Sequence, residues 1–197
     1  GSRRSAPRGK WLIVRARVRR SRMLSSALIL GGTGIISAAI VEQLLARDVR
    51  VTVFNRGLRA NRLPDGVRLI RGDRDDPGFA NVFERERFDV VYDMICYVPE
   101  QAEASVRAFA GRCEQLVFCS SAVVYGPKMP PHVFVDENAP LAPTSHWGKS
   151  KVACEQTFMR AAEQGAFQVT IARPGHTYGP GDSMNDQQEN DSPTWDR

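Results

Sequence analysis

Metal-binding and disulfide patterns are missing from this chain. Its 197 residues include 3 histidines and 4 cysteines. Cys96, Cys113, Cys119 and Cys154 form no CxxC pair and have no histidine at zinc-ligand spacing. A zinc centre and a disulfide scaffold are therefore excluded, and no metal site is expected. Three of the four sit in apolar runs, where a free thiol behaves as a small hydrophobe. That usage suits a reducing compartment, so a cytoplasmic location is the expectation. No apolar run reaches the roughly eighteen residues that a membrane-spanning helix needs.

Acidic residues are absent from positions 1–22, which hold nine of the 27 Lys and Arg residues. The net charge of +5 thus belongs to this leader, and the remainder is net acidic. A body of that charge argues against nucleic acid as a partner and makes any phosphate-binding surface local. Residues 1–22 read as a basic leader, either disordered or derived from sequence upstream of Met23. At the other end, residues 182–197 carry five acids, one base and little that is apolar. They read as a polar tail leading into a further region. The hydrophobic share of 42% against 25% charged is that of a globular chain, long enough for one core. Residues 23–181 form the expected domain.

Within it, short β-branched runs alternate with helix-period segments. Strands are expected at Ala27–Leu30, Val49–Phe54, Val67–Ile70, Asp89–Ile95, Gln115–Ser120 and Phe167–Ala172, each brief and mainly apolar as for burial on both faces. Helices are expected at Gly34–Arg47, briefly after Pro77, at Pro99–Arg112 and at Ser145–Gln164. This alternation specifies an α/β fold, a doubly wound parallel sheet.

The first strand runs directly into Gly31-Gly32-Thr33-Gly34-Ile35-Ile36-Ser37, which opens the first helix. Glycines there let the backbone turn tightly and approach a pyrophosphate at the helix N-terminus. Gly31, Thr33, Gly34, Ile35 and Ile36 are the candidate contacts. The second strand ends in Asn55-Arg56. An acid there would bind a ribose 2′-hydroxyl, whereas a neutral residue followed by arginine suits a 2′-phosphate. NADP(H) is favoured over NAD(H). Asp73 and Arg74 follow the third strand, where Asp73 either accepts from an adenine amino group or caps the next helix.

In order along the chain, GGTGIIS, GDRDD, FDVVYDMICY, FCSSAVVYG, and WGKSK with RPGHTYGPG resemble the extended short-chain dehydrogenase/reductases, the NAD-dependent epimerase/dehydratase family. The resemblance covers roughly residues 24–181. It implies an NAD(P)-binding Rossmann fold and an ancestral class that acts on sugar nucleotides or related carbonyl compounds by transient hydride transfer. It implies that Ser121 bonds the reacting oxygen of a substrate and that Lys151 holds the nicotinamide ribose. Met94, Ile95 and Cys96 would flank the cofactor between phosphate and ribose, and His176 would lie in the segment beside the nicotinamide. A dinucleotide, a small-molecule substrate and a second copy of the chain as homodimer are the partners this implies. Members of the family usually continue into a carboxy-terminal substrate domain, which is expected to be largely missing here.

Two positions depart from the family pattern. Ser37 replaces the third glycine and should crowd the first helix slightly. Trp147 stands at the tyrosine of YxxxK, and an indole offers one N–H donor with no acid–base function near neutral pH. Tyr97, at the end of the fourth strand, is the best substitute phenol. Tyr125 and His146 read as packing residues and His132 as solvated. An inactive member of the family is therefore expected, with a dinucleotide-sensing regulator and an RNA-binding relative as the alternative functions.

Overall fold

Residues Leu28 to Leu30 are apolar in succession, as a strand covered on both faces requires, and all three are fully buried. The computed structural model describes residues 23–58, 63–127 and 135–177. The leader, the polar tail and His132 lie outside these described residues. In order come β1 Ser26–Leu30, α1 Ile35–Leu45, β2 Arg50–Asn55 and β3 Arg68–Arg71, followed by a 3-10 turn at Phe79–Phe83. After it come β4 Phe88–Asp93, α2 Pro99–Phe109, β5 Cys113–Cys119, a second 3-10 turn at Ala122–Tyr125, α3 His146–Glu163 and β6 Gln168–Ala172. The strands form one parallel sheet in the order β3-β2-β1-β4-β5-β6. Among the described residues, no helix is long and apolar enough to cross a membrane.

Alternation along β1 sorts its side chains onto two cores. Ala27 and Ile29 join Val41 and Leu44 of α1 on one face, while Leu28 and Leu30 join Ala102 and Phe109 of α2 and Phe158 of α3 on the other. The second core is strongly aromatic. Phe54 meets Phe79 and Phe83 edge-on, each with centroids 5.3 Å apart, and Phe83 lies 5.0 Å from Phe109. Gly72 is needed beneath this cluster, because a Cβ there would sit 2.6 Å from the Phe54 ring.

Three expectations need correction. The fourth strand stops at Asp93 rather than Ile95: Met94 gives its N–H to Leu30 at 3.2 Å and the chain then leaves the sheet. The helix expected to reach Arg112 ends at Phe109, followed by Gly111 at φ +67°. β3 and β6 are not buried on both faces; among the described residues they are the sheet edges, and β6 alternates between exposed and half-buried residues.

At the start of β4 the Asp89 carboxylate accepts from Ser25 N at 2.8 Å, Ser25 Oγ at 2.7 Å and Ser26 N at 2.9 Å. Burial would raise its pKa, but these bonds outweigh burial and hold it below the ordinary carboxylate value. A depressed folded pKa stabilises above the unfolded value and loses its effect as pH falls through the folded one. Urea unfolding should therefore show stability declining below about pH 4. Asp89→Asn should flatten that part of the curve, and an unchanged slope would assign the decline to other carboxylates.

Candidate functional site

The glycine turn lies where β1 leaves the sheet between β2 and β4. Gly31 has φ +112° and Gly32 φ +89°, both in the region that favours glycine. The turn is pressed onto its neighbours: a Cβ on Gly32 would lie 2.8 Å from Val53, and one on Gly31 would lie 3.1 Å from Ile95. Gly31 N donates to Phe54 O at 2.9 Å. Gly34 caps α1 with its outer side open, since a Cβ there would meet only Ser37 Oγ, at 3.6 Å. Ser37 is buried without strain on the turn. Its hydroxyl accepts from Gly34 N at 3.0 Å and donates to Gly34 O at 3.1 Å. The first-turn amides of a helix have no intrahelical acceptor, so those of Ile35 and Ile36 face the space beyond Gly34.

Asn55 ties β2 to this turn. Its Nδ2 donates to Gly31 O at 2.8 Å while its Oδ1 accepts from Gly57 N at 2.7 Å. The side chain read as a ribose contact is thus spent in shaping the loop. Arg56 is exposed beside it. Arg71, at the end of β3, was not anticipated: it pairs in register with Asn55, and its Nε would lie 3.0 Å from a Cβ on Gly57. Two guanidinium-bearing residues therefore share the carboxyl ends of β2 and β3. The signal in the sequence was an arginine at the last position of a strand.

Asp73 is exposed, and its carboxylate accepts from Asp75 N at 3.0 Å in a local turn; it caps no helix, since the next helical turn, at Phe79, begins at Gly78. Arg74 contradicts the expectation of a cofactor contact. Its side chain is 3% exposed and turned inward onto Asp93, which is fully buried. Nη1 and Nη2 contact the two carboxylate oxygens at 2.5 and 3.1 Å. Nη2 also donates to Gln101 O at 2.9 Å and Ser105 Oγ at 2.7 Å. The physical reason is that the buried Asp93 needs a countercharge. Arg74 Nε is left without a partner.

Past β4, Met94 and Ile95 line the foot of the glycine turn, whereas Cys96 is fully buried. The Cys96 thiol, hydrogen-bonded to Cys154 and desolvated, is pushed well above the ordinary thiol value. Its contribution to the site is its carbonyl. Lys151 Nζ donates to Cys96 O at 2.8 Å and to Cys119 O at 2.9 Å, bridging the ends of β4 and β5. The ammonium is also within 4.9 Å of the Tyr97 ring centroid. Burial pulls Lys151 below the usual lysine range, opposed by the nearby Cys96 and Cys119.

Ser121 caps the second 3-10 turn, with Oγ accepting from Val123 N at 3.3 Å. Tyr97 is 36% exposed, and partial desolvation shifts its phenol upward. The Tyr97 carbonyl accepts from Ser150 Oγ at 2.8 Å. Trp147 is 44% exposed on the first turn of α3, one turn before Lys151, which is 2% exposed. Gly148 beside it allows α3 to approach the Ser121 turn, since a Cβ there would lie 3.3 Å from Val123 O. His176 is exposed beyond β6. The fold thus gathers Ser121, Lys151 and Tyr97 around the ends of β4 and β5, next to the glycine turn.

A parallel sheet in this order, with a glycine turn at its switch point, defines a dinucleotide-binding Rossmann domain. The sequence matches the NAD dependent epimerase/dehydratase family over residues 27–195, and the chain belongs to that family. It is 32% identical over 161 residues to the 2'-dehydrokanamycin reductase of Streptomyces kanamyceticus, covering 81% of this chain and 45% of that protein. It is 29% identical over 148 residues to the UDP-glucose 4-epimerase of Lacticaseibacillus casei, covering 65% and 44%. Among solved structures, the UDP-Glc/GlcNAc 4-epimerase from Campylobacter jejuni matches with a TM-score of 0.64 at 25% identity, over 76% of this chain and 53% of that one. The dTDP-glucose 4,6-dehydratase from Bacillus anthracis shares the fold, with a TM-score of 0.67 at 18% identity over 79% and 56%. The chain spans about half the length of the curated relatives it matches.

Removing one partner of a buried ion pair strands the other. Asp93→Ala should cost about 3–5 kcal/mol in urea unfolding. Arg74→Met combined with Asp93→Leu should recover most of that loss. Equal destabilisation by the single and the double change would show that the shape of the pocket, not its charge, dominates.

Proposed function

We propose that the chain binds NADP(H) in preference to NAD(H) along the carboxyl edge of β1, β2 and β4, and that with Trp147 in the tyrosine position it transfers little or no hydride. The observation that carries this reading is the Gly31-Gly32 turn at the switch point, with Arg56 and Arg71 at the neighbouring strand ends and no carboxylate on Asn55. The residues present fit such a group. The outer side of Gly34 is open for a pyrophosphate, and the amides of Ile35 and Ile36 and the positive end of α1 would face its charge. Arg56 and Arg71 offer planar donors to a 2′-phosphate.

Once bound, the nicotinamide supplies a hydride donor or acceptor; the remaining work falls to this chain. Lys151, already between the carbonyls of Cys96 and Cys119, is the donor for a ribose hydroxyl. Ser121 is the donor or acceptor for a substrate oxygen. Proton exchange at that oxygen is the missing step, because Trp147 has an N–H donor only and the Tyr97 phenol is shifted upward. The named substrates of the similar proteins, 2'-dehydrokanamycin and UDP-glucose, are both sugar derivatives. A sugar carbonyl or carbinol is accordingly the substrate class for the ancestral chemistry.

Calorimetry should show NADP(H) binding more tightly than NAD(H). Arg56→Ala and Arg71→Ala should each weaken NADP(H) roughly tenfold, the worth of one charge-assisted hydrogen bond. Equal affinities before either change would defeat the 2′-phosphate reading. Gly34→Val should fold and yet fail to bind, since its side chain points into the phosphate space rather than into the protein.

The native chain, given NADP⁺ with a UDP-sugar as hydride donor, or NADPH with a sugar ketone as hydride acceptor, should show no change in nicotinamide absorbance. Trp147→Tyr restores a phenol one helical turn from Lys151, and acid–base assistance is worth roughly 10²–10⁴-fold in rate. Competent turnover by the Trp147 protein would overturn the inactive reading.

A further inference from the structure

Glu155 lies one turn beyond Lys151 on α3 and is almost fully buried. Its Oε1 accepts from Ser120 Oγ at 2.6 Å and from Arg173 Nε at 2.9 Å, and its Oε2 from Arg173 Nη2 at 2.7 Å. Arg173, just past β6, also donates through Nη1 to the Tyr125 hydroxyl at 2.9 Å, with its guanidinium 5.1 Å from that ring's centroid. Glu155 was not singled out in the sequence and Arg173 only as the start of the RPGHTYGPG motif; neither borders the glycine turn.

The placement of these bonds is what matters. Lys151 grips Cys119 O and Glu155 grips Ser120 Oγ, so α3 holds consecutive residues at the end of β5. Ser121 comes next in the chain. Four residues later, Arg173 holds Tyr125, the last residue of the turn that Ser121 caps. Ala122 N donates to Pro174 O at 2.9 Å, alongside Arg173. The Ser121 turn is therefore fastened at both ends to one ion pair, and that pair stands on the same helix as Lys151. A pair serving only to join α3 to β6 would not need Ser120 and Tyr125 as further partners.

We propose that the Glu155–Arg173 pair is the positioning element of the site: it fixes the Ser121 turn against Lys151 and so sets the spacing of the two groups. Neither residue touches the ligand. The proposal rests on the cofactor reading above only for its binding arm.

The test compares the full native chain with Glu155→Gln, and with Ser120→Ala as a milder change should the first variant fold poorly. Phe83→Leu, in the aromatic core away from the turn, serves as the destabilised control. Amide hydrogen exchange is the readout that needs no ligand. In Glu155→Gln the amides of Ala122, Val123 and Gly126 should exchange about tenfold or more faster relative to those of Ile29 and Val53; Ser120→Ala should do the same to a smaller degree. Phe83→Leu should leave that ratio unchanged. In calorimetry, Glu155→Gln should weaken NADP(H) binding about tenfold at a temperature where it is fully folded, whereas Phe83→Leu should not. Uniform acceleration across the sheet, or native affinity in folded Glu155→Gln, overturns the proposal and leaves the pair a simple stabiliser. A native chain that binds no dinucleotide refutes the cofactor reading alone, and the exchange ratio then decides the positioning claim.

Discussion

The site depends on how β1 is paired. Its hydrogen-bonding neighbours are β2 on one side and β4 on the other, with Leu28 opposite both Thr52 and Val91. The next strand in sequence lies to one side, and the fourth has crossed to the other. Chain leaving β1 enters α1 on one face, whereas chain leaving β4 enters α2 on the opposite face. The loops diverge, and a crevice opens over the carboxyl edge between them. The glycines of the first turn follow from this. Backbone at the foot of the crevice must lie close against Val53 and Ile95: a side chain on Gly32 would collide with Val53, and one on Gly31 would crowd Ile95.

Much of this was legible because it is local. A buried strand running into GGTG and then a helix is a pattern within some twenty residues, and short, largely apolar runs separated by helical segments leave few alternatives to a parallel sheet. Edges were less legible. Val67 to Ile70 and Phe167 to Ala172 are as apolar in composition as inner strands, and only the order of strands in space makes them peripheral. Arg74 was misjudged for a related reason. In GDRDD it reads as one more surface charge, yet its partners Asp93 and Ser105 lie 19 and 31 residues away. Glu155 hid in a similar way. Four residues after a lysine on a helix it resembles half of a solvated pair, but Cys154 and Phe158 on either side of it are core residues, and that polar position on an apolar face was the available clue.

The contrast between Lys151 and Trp147 shows how far one helix can serve two environments. They are one turn apart on α3, yet the ammonium is enclosed by two carbonyls and two aromatic rings while the indole is nearly half exposed. The helix enters beside the Ser121 turn at a glycine, so the backbone comes close where a side chain would prevent it. The first turn is left at the mouth of the site and the second at its floor. A tryptophan at such a mouth presents an indole to solvent while the lysine one turn on stays enclosed.

The distribution of partners along the chain also bears on the order of assembly. β1, α1 and β2 pair within thirty residues, so their contacts can form early with little loop-closure entropy. β1 must then wait for β4, some sixty residues on, before the crevice has two walls. The clasp around the Ser121 turn waits longer still, because Arg173 follows β6. During synthesis the glycine turn therefore emerges and can fold well before the Ser121 turn is fastened. A nascent chain halted ahead of β6 would carry Lys151 and Ser121 without the residue that brings them into register. Folding of β6 and fastening of the Ser121 turn are in this way one event.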